Sequence, residues 1–238
     1  MAYSDKHKII LQTILHEGAL NEDRGKLLIN DLFEHNNVAL VINAINAKLQ
    51  HLNMAIKYIN CEIDGKTYWI LTNTVQDAIK GLYIGCSKAE LDLLRNIYST
   101  IASSSEGYVS STWCLNLCSS LKVKLSKDNA QLFLNDMVEK KWLSWKNGRY
   151  YIGVRSIAEL LQYFKDTHED NLRTCTLCKQ ILFYGKKCKR CDAITHTYCL
   201  NTYKENETNL GCPNCHNTSA VNCSDNSSTS DMETEPYK

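Results

Sequence analysis

Eight cysteine and histidine residues in four pairs, each with two residues between its members, constrain this 238-residue chain more than any other feature. A C-x2-C pair on a tight turn directs both thiolates at one metal ion, and zinc takes four such ligands in a tetrahedron. Eight ligands in four pairs therefore predict two zinc ions. A segment of about forty residues cannot bury an adequate core, so bound metal is expected to hold its fold together. The ligands are Cys175, Cys178, Cys188, Cys191, His196, Cys199, Cys212 and Cys215, separated by 2, 9, 2, 4, 2, 12 and 2 residues.

Spacing alone leaves the pairing of these ligands open. Sequential pairing would produce two separate fingers, each built from four consecutive ligands. Interleaved pairing would produce a cross-brace, in which the first and third pairs hold one ion and the second and fourth pairs hold the other.

The number and positions of the cysteines, together with the net charge, narrow the class of protein. The chain has 12 cysteines, and seven of them fall within residues 175–215. The N-terminal residues contain no apolar run long enough for a secretory signal, and no stretch approaches the ~18 apolar residues of a membrane helix. We therefore expect an intracellular, soluble protein with reduced thiols and no membrane partner. The formal net charge of +1 argues against a strongly basic nucleic-acid-binding protein but leaves room for local basic patches.

Hydrophobic periodicity predicts three helices and a β-hairpin at the start of the chain. The helices are expected at about residues 6–17, 21–34 and 38–52. Asp64-Gly65 lies between two β-prone runs and predicts the tip of the hairpin. The third helix has an apolar face at helical spacing, formed by Val38, Val41, Ile42, Ile45, Leu49 and Leu52.

The same order of elements returns in the middle of the chain. Ser87 and Glu90 form a capping-box pattern before one helix, a short helix follows, and Ser126 caps a longer one. Asn147-Gly148 predicts a second hairpin tip. A last helix is then expected to present one apolar face, formed by Ile157, Leu160, Leu161 and Phe164.

Two successive units of three helices plus a hairpin predict a mostly α-helical chain with small β-hairpins. We interpret the units as tandem winged-helix domains at residues 1–85 and 86–170, followed by a zinc domain at residues 171–217. Residues 166–174 have the composition of a linker. Residues 218–238 are rich in Ser, Thr and acidic residues, and we expect them to be disordered.

The ligand order resembles that of PHD fingers, which often read histone tails, and of RING-type domains, which recruit ubiquitin-conjugating enzymes. Both families use the cross-brace, so the resemblance implies interleaved pairing. The intervening residues favour a variant RING with histidine as fifth ligand. Leu210 stands where a PHD finger usually has Trp. The resemblance to RING domains implies a docking surface for the conjugating enzyme at Leu177, Tyr203 and Pro213.

One position departs from the pattern of active RING domains. Many carry Arg or Lys directly after the eighth ligand, where the side chain clamps ubiquitin against the conjugating enzyme, but this chain has His216. A neutral imidazole donates a single hydrogen bond. This difference predicts weak intrinsic ligase activity or dependence on a partner.

Most of the chain resembles the family of RING-bearing non-SMC elements, element one, of the SMC five–six chromosome-maintenance complex. The matching stretches are ELDLLR, EGYVSSTWCLNL, VEKKWL and the eight-ligand module, whereas residues 1–85 match more loosely. The resemblance implies a nuclear, chromosomal location. It also implies that the two winged helices bind a MAGE-type subunit and, with a kleisin subunit, form a DNA-repair subcomplex that has ubiquitin-ligase activity.

The second predicted hairpin is a candidate contact surface for DNA or a partner protein. Residues 122–155 carry eight basic and three acidic residues, and a winged helix can insert its third helix into the major groove. However, Asp128 and Glu139 on that helix would repel phosphate, which favours a protein-binding hairpin. Trp142 and Trp145 fit the hairpin's own core better than a hot spot for a partner. The candidate contact residues are Lys140, Lys141, Trp145, Lys146 and Arg149.

Together the residues and the resemblance predict a RING-type ubiquitin ligase that is also an assembly subunit of a chromosome-repair complex. The sequence has no Gly-rich phosphate loop, nucleophile elbow or paired-carboxylate motif, so no residue is assigned as catalytic. The chemistry would belong to a charged conjugating enzyme, which a RING holds in a reactive pose. Two alternatives stay open: a non-catalytic PHD-like binding module, and a winged-helix DNA-binding protein with a zinc appendage.

Overall fold

The computed structural model describes residues 2–75, 85–206 and 211–217. The first unit, residues 2–75, contains three α-helices and an antiparallel sheet of order β1-β3-β2. Its elements are α1 (Asp5–Glu17), β1 (Leu20–Asn21), α2 (Glu22–Phe33), α3 (Val38–Leu49), β2 (Met54–Asn60) and β3 (Thr67–Asn73).

The helices of the first unit begin and end close to the predicted residues. Gly18 follows α1 with φ of 70°, and its N–H donates to the carbonyl oxygen of Ile14. The Asn21 side chain accepts a hydrogen bond from the N–H of Asp23 at 3.0 Å, as expected of a helix cap. The prediction was wrong for Leu52, which is 57% exposed. The chain continues beyond α3 as a 3-10 turn, which rotates this residue away from the apolar face.

The core of the first unit forms where the helices meet the sheet. Trp69 of β3 is fully buried at this contact. Helix α2 approaches so closely that a Cβ on Gly25 would collide with the Trp69 ring, so this position requires glycine. The other buried members are Ile10, Ile14, Leu20, Ile29, Val41, Ile42, Ile45, Leu49 and Ile56.

The second unit, residues 85–152, has the same order of elements as the first. Its sheet is antiparallel with order β4-β6-β5, so the short strand again pairs with the last strand of the hairpin. The elements are α4 (Lys88–Ser103), β4 (Val109–Ser110), α5 (Ser111–Leu117), α6 (Lys127–Glu139), β5 (Leu143–Lys146) and β6 (Arg149–Ile152).

Local signals in the second unit act as the sequence predicted. The N–H of Ser87 donates to the Glu90 carboxylate at 2.7 Å, and the N–H of Glu90 donates to the Ser87 hydroxyl at 3.3 Å. Asn147 and Gly148 form the hairpin tip with φ of 50° and 72°. Both units thus have the element order that a winged helix requires, and the winged-helix interpretation itself stays a prediction.

The segment after β6 forms two helices instead of the predicted one. These are α7 (Val154–Glu159) and α8 (Leu161–His168), and the backbone leaves helical geometry at Leu160 with φ of −112°. The Ser156 hydroxyl in α7 donates to the carbonyl oxygen of Trp142 at 2.6 Å. This contact fixes α7 against the base of the hairpin, whereas Phe164 of α8 is buried in the core of the second unit.

Residues 166–174, whose composition predicts a linker, are held in place by hydrogen bonds to other parts of the chain. The Arg173 guanidinium donates to the carbonyl oxygens of Ser104 at 3.0 Å, Ser105 at 2.8 Å and Phe183 at 2.8 Å. Arginine presents several N–H donors in a rigid fork, so one side chain satisfies carbonyls at the end of α4 and in the following module.

The remaining described residues, 173–206 and 211–217, form what we call the C-terminal module. It contains two antiparallel two-stranded sheets, β7 with β8 and β9 with β10, and one α-helix. The elements are β7 (Arg173–Thr174), β8 (Ile181–Leu182), β9 (Lys186–Lys187), β10 (Ile194–Thr195) and α9 (Thr197–Asn206).

Buried side chains connect the three parts of the chain. Ile70 of the first unit packs with Val154 of α7 in a small apolar cluster. Phe183 of the C-terminal module lies in the core of the second unit, where its ring centroid is 4.7 Å from that of Phe164. The C-terminal module is therefore packed against the rest of the chain and is not merely tethered to it.

Three predictions fall outside the described residues: the tail at 218–238, the residue Leu210, and the end of the first predicted domain at 76–84. Within the described ranges, no helix combines the length and apolar character needed to cross a membrane.

Candidate metal centre

The structure brings the eight predicted ligands into two groups of four. Within each group the candidate ligand atoms all lie within 4.8 Å of one another. The pairing is interleaved, because the first and third pairs along the sequence share one group and the second and fourth share the other. We call Cys175, Cys178, His196 and Cys199 cluster one, and Cys188, Cys191, Cys212 and Cys215 cluster two.

Three of the four ligand pairs lie on turns with the same backbone geometry. The residue after the second cysteine has positive φ in each turn: 61° at Lys179, 57° at Asp192 and 54° at His216. Its N–H donates to the carbonyl oxygen of the first cysteine at 2.9, 3.1 and 2.8 Å respectively. This geometry directs both sulfur atoms to one side of the turn. The fourth pair, His196 and Cys199, lies after β10 and in the first turn of α9.

Distances in cluster two fit a tetrahedral zinc site. Two sulfur atoms bound to one zinc at about 2.3 Å are separated by about 3.8 Å in tetrahedral geometry. The observed separations are 3.8 Å between the Sγ atoms of Cys188 and Cys215, and 3.7 Å between those of Cys191 and Cys212.

Cluster one has the matching geometry with one imidazole ligand. Nδ1 of His196 lies 3.3 Å from Cys178 Sγ and 3.8 Å from Cys199 Sγ. These values bracket the separation of about 3.5 Å that one nitrogen and one sulfur ligand have on a tetrahedral zinc ion. The two clusters are therefore consistent with two zinc ions, the cofactor that the sequence predicts.

One thiol in each cluster is biased towards the thiolate form that binds zinc. Burial raises the pKa of the Cys175 thiol, but hydrogen bonds from nearby backbone N–H groups outweigh it and lower the pKa to about 7. The side-chain amide of Asn214, followed by a backbone N–H, lowers the pKa of Cys191 to about 6. Donors fixed by the turns thus favour the thiolate form of Cys175 and Cys191, whereas the pKa values of Cys178, Cys199 and Cys215 are raised.

The sequence analysis did not single out Glu62, which lies directly behind cluster one. The predicted hairpin tip belongs to a six-residue turn, 61–66, between β2 and β3. That turn brings the Glu62 carboxylate, 3% exposed, to 3.4 Å from Nε2 of His196. The run CEIDGK offered a signal, because Cys61, Asp64 and Gly65 repeat the spacing of the ligand turns with aspartate in place of the second cysteine.

The structure brings together two of the three residues predicted to dock a conjugating enzyme. Leu177 and Tyr203 line an open groove of about 390 Å³ beside cluster one, together with Tyr198 and Thr202. Pro213 lies between two ligands of cluster two and does not line this groove. The groove therefore joins the first ligand turn to helix α9.

The two tryptophans of the second hairpin have different environments. Trp142 is buried, with the Arg155 guanidinium 4.5 Å above its ring, as the core interpretation predicted. That interpretation was wrong for Trp145, which is 54% exposed. Trp145 lies near the hairpin tip, where its indole N–H donates to the Ser111 hydroxyl at 3.2 Å.

Some of the basic candidate residues at this hairpin already interact with other side chains of the protein. Lys140 forms an ion pair with Asp136 at 2.8 Å. The Arg149 guanidinium stacks 4.3 Å from the centroid of the Tyr108 ring. Lys141 is half-buried, whereas Lys146 is exposed at the end of β5. The hairpin surface is therefore a mixture of aromatic and basic groups.

Two family models match the chain. One is described as a RING-like domain and covers residues 175–215. The other is described as the Nse1 non-SMC component of the SMC5-6 complex, and it covers residues 7–160, more than half of the chain. The chain belongs to the Nse1 family. Its RING-like match coincides with the segment that carries clusters one and two.

Nse1 relatives align with most of the chain. The Homo sapiens and Bos taurus homologues of non-structural maintenance of chromosomes element 1 are each 32% identical over 221 residues, which are 90% of this chain and 83% of each relative. The Schizosaccharomyces pombe relative is 27% identical over 216 residues, which are 90% of this chain and 91% of the relative.

A solved structure described as an "Nse1-Nse3-Nse4 complex" contains a chain with a similar fold. The TM-score is 0.78 at 28% sequence identity, and the match covers 91% of this chain and 97% of that chain. The match agrees with the predicted fold class, a mostly helical chain with small sheets and a C-terminal RING-like module.

Proposed function

We propose that this Nse1-family chain is a ubiquitin-ligase and assembly subunit of an SMC5-6-type chromosome-maintenance complex. The observation that carries the proposal is the open groove beside cluster one, lined by Leu177 and Tyr203 in a RING-like module. An exposed apolar groove on a rigid scaffold suits a protein partner, and RING domains hold conjugating enzymes on such a surface.

The C-terminal module would act as a platform without a nucleophile of its own. When bound, zinc holds the ligand turns in place and contributes no reactive group. The conjugating enzyme carries ubiquitin as a thioester; the amine of an acceptor lysine attacks the carbonyl carbon, and the enzyme's thiol leaves. The platform favours this transfer by holding the thioester in a reactive pose, which removes orientational freedom before the reaction.

His216 is the residue expected to limit this activity. It is exposed, and its backbone N–H is occupied by the carbonyl oxygen of Cys212 at 2.8 Å. The side chain is therefore the group left to contact ubiquitin, and a neutral imidazole donates one hydrogen bond where arginine donates several. We expect slow transfer by the chain alone and faster transfer once a partner subunit orders the same contacts.

The partners proposed for this chain are a MAGE-type subunit and a kleisin subunit, corresponding to the Nse3 and Nse4 of the similar solved complex. Membership of the Nse1 family supports a role in an SMC5-6 complex and hence a nuclear, chromosomal location. DNA would be reached through the assembled complex.

The second hairpin is the proposed contact for a partner in this assembly. Exposed Trp145 beside Lys146 fits an aromatic hot spot with a basic rim. We expect Trp145→Ala in the full chain to weaken binding of the MAGE-type subunit by about 2 kcal/mol in calorimetry. An unchanged Kd, together with DNA binding by the chain that weakens steeply as salt rises, would favour the DNA-binding alternative instead.

Ubiquitin transfer tests the main proposal. Leu177→Ala removes apolar surface from the groove and leaves the ligands of cluster one in place, so transfer should fall below detection while both zinc ions stay bound. The assay uses the full chain with its partner subunit and a panel of conjugating enzymes, and native mass spectrometry counts zinc. Leu52→Ala, which truncates an exposed leucine on the first unit, is the matched control.

Two results of this assay would contradict the proposal. Transfer by Leu177→Ala at the rate of the unmodified chain would remove the groove as the docking surface. Absence of transfer by the unmodified chain with every conjugating enzyme, with and without the partner subunit, would favour a non-catalytic binding module.

A further inference from the structure

Glu62 lies on a hairpin turn, where a carboxylate is normally exposed to solvent, but here it is buried. It belongs to the first unit, yet its carboxylate is buried against the C-terminal module. Oε1 accepts a hydrogen bond from the N–H of Phe183 at 3.0 Å, and Oε2 accepts one from the N–H of Tyr184 at 2.9 Å. A buried carboxylate is costly unless donors surround it, and here two backbone donors come from 121 and 122 residues away.

The turn that carries Glu62 has the same backbone geometry as the three ligand turns. The N–H of Gly65 donates to the carbonyl oxygen of Cys61 at 2.9 Å, and the N–H of Cys61 donates to that of Lys66 at 2.8 Å. Gly65 has φ of 73°, at the position of Lys179, the first of the positive-φ residues in those turns. Glu62 therefore projects from a rigid turn instead of a mobile loop tip.

The orientation of His196 places its Nε2 atom close to this carboxylate. Nδ1 of the ring faces the sulfur atoms of cluster one, so the atom that binds metal carries no proton. A neutral imidazole then carries its proton on Nε2, which lies 3.4 Å from Oε1 of Glu62. The Tyr198 ring stacks on the imidazole at 4.8 Å between centroids and keeps its plane fixed.

We propose that Glu62 is the outer-sphere partner of cluster one: its carboxylate accepts a hydrogen bond from Nε2–H of His196 and joins zinc binding to docking of the C-terminal module on the first unit. Glu62 is a positioning residue, because it acts on the metal through His196 and does not ligate it. Carboxylates that orient a metal-binding histidine in this way strengthen metal affinity by about 10–100-fold in other proteins.

A coupling of this kind acts in both directions. Loss of zinc from cluster one frees the His196 ring and weakens the hold of Glu62 on Phe183 and Tyr184. Loss of the carboxylate leaves the ring without its acceptor and speeds zinc release from cluster one. Cluster two consists of four cysteines and has no imidazole to donate such a hydrogen bond, so its zinc should be unaffected by changes at Glu62.

Zinc release from the full chain tests the proposal. A chromogenic chelator added in excess should withdraw the two ions in two phases, and Glu62→Gln should accelerate one of them by about 10–100-fold. Glutamine keeps the size of the side chain but replaces one acceptor with a donor, which opposes a backbone N–H. Asp64→Asn is the matched control, because Asp64 is exposed on the same turn and its carboxylate accepts a hydrogen bond from the N–H of Lys66. It should leave both phases unchanged.

A second background separates the hydrogen bond to His196 from simple packing of the turn. His196→Cys keeps four ligands for zinc but removes the imidazole N–H. In that background Glu62→Gln should no longer change the rate of zinc release. Equal acceleration in both backgrounds, or no acceleration in the unmodified background, would overturn the proposal.

The unmodified protein provides a measurement that does not depend on any variant folding. With 15N-labelled histidine and zinc bound, His196 should show a protonated, slowly exchanging Nε2. Removal of zinc should increase amide exchange at Phe183 and Tyr184. A rapidly exchanging or unprotonated Nε2 in the zinc-bound protein would contradict the assignment of Glu62.

Discussion

Clusters one and two are both built from two pairs of ligands with two residues between the members of each pair, but they differ in what lies behind the ligands. Behind cluster one stands Glu62 of the first unit, and the same segment of the module buries Phe183 in the core of the second unit. The apolar surroundings of cluster two come from its own segment, where Cys188 and Cys212 pack with partly buried neighbours.

If Glu62 couples cluster one to the first unit as proposed, one metal chemistry would serve two structural purposes in the chain. Cluster two closes the C-terminal module on itself, as expected for a segment too small to have a hydrophobic core. Cluster one lies where the module meets the remainder of the chain, so its occupancy bears on contacts between sequence-distant units. Metal loss at the two positions should therefore be detected in different parts of the molecule.

The largest effect on amide exchange is expected when one ligand is removed from either cluster, because a structural zinc site contributes about 10–16 kcal/mol of folding free energy in small peptides. Cys199→Ser should raise amide exchange at Phe183, at Tyr184 and in the turn 61–66, whereas Cys215→Ser should leave these amides protected. Hydrogen exchange of the full chain, followed by mass spectrometry, measures both variants. Equal loss of protection in the two variants would abolish the distinction between the clusters.

A smaller effect is expected at Gly107, where the second unit meets the C-terminal module. Its φ is 75°, and an added Cβ would collide with the carbonyl oxygen of Phe183. Gly148 provides the control, because its φ of 72° is similar but no atom lies within 4 Å of an added Cβ. Gly148→Ala should cost about 1–2 kcal/mol for the left-handed backbone alone.

Gly107→Ala should cost more than this control, because the carbonyl of Phe183 must also move. Urea unfolding of the two variants provides the comparison. Equal midpoints would mean that the module yields easily at this contact, and that its anchoring depends on Arg173, Phe183 and Glu62 instead.

Features set by neighbouring residues were predictable from the sequence. The Ser87–Glu90 capping box and the Asn147-Gly148 tip depend on local backbone chemistry and appear as expected. The eight ligands were predictable because a C-x2-C turn needs only its own residues to direct two thiolates. Their interleaved pairing was not encoded in the spacing, and it followed from the resemblance to cross-brace modules.

Features that depend on distant contacts were missed. The helix break at Leu160 separates α7, which is bonded through Ser156 to the carbonyl of Trp142, from α8, and the apolar periodicity does not contain this contact. The role of Glu62 as a hydrogen-bond acceptor could not be predicted, because its donors lie more than a hundred positions away in the sequence. Polar residues before the C-terminal module suggested a linker, but the Arg173 guanidinium donates hydrogen bonds to the carbonyl oxygens of Ser104 and Ser105.

The anchoring of the C-terminal module by Arg173, Phe183 and Glu62 has a consequence for any enzyme seated on it. A conjugating enzyme on a flexibly tethered module would reach acceptor lysines in many directions. A module fixed to two neighbouring units, if it docks a conjugating enzyme as proposed, would instead hold that enzyme in one orientation. The choice of acceptor lysine would then be dictated by the angle at which the whole chain sits in its assembly.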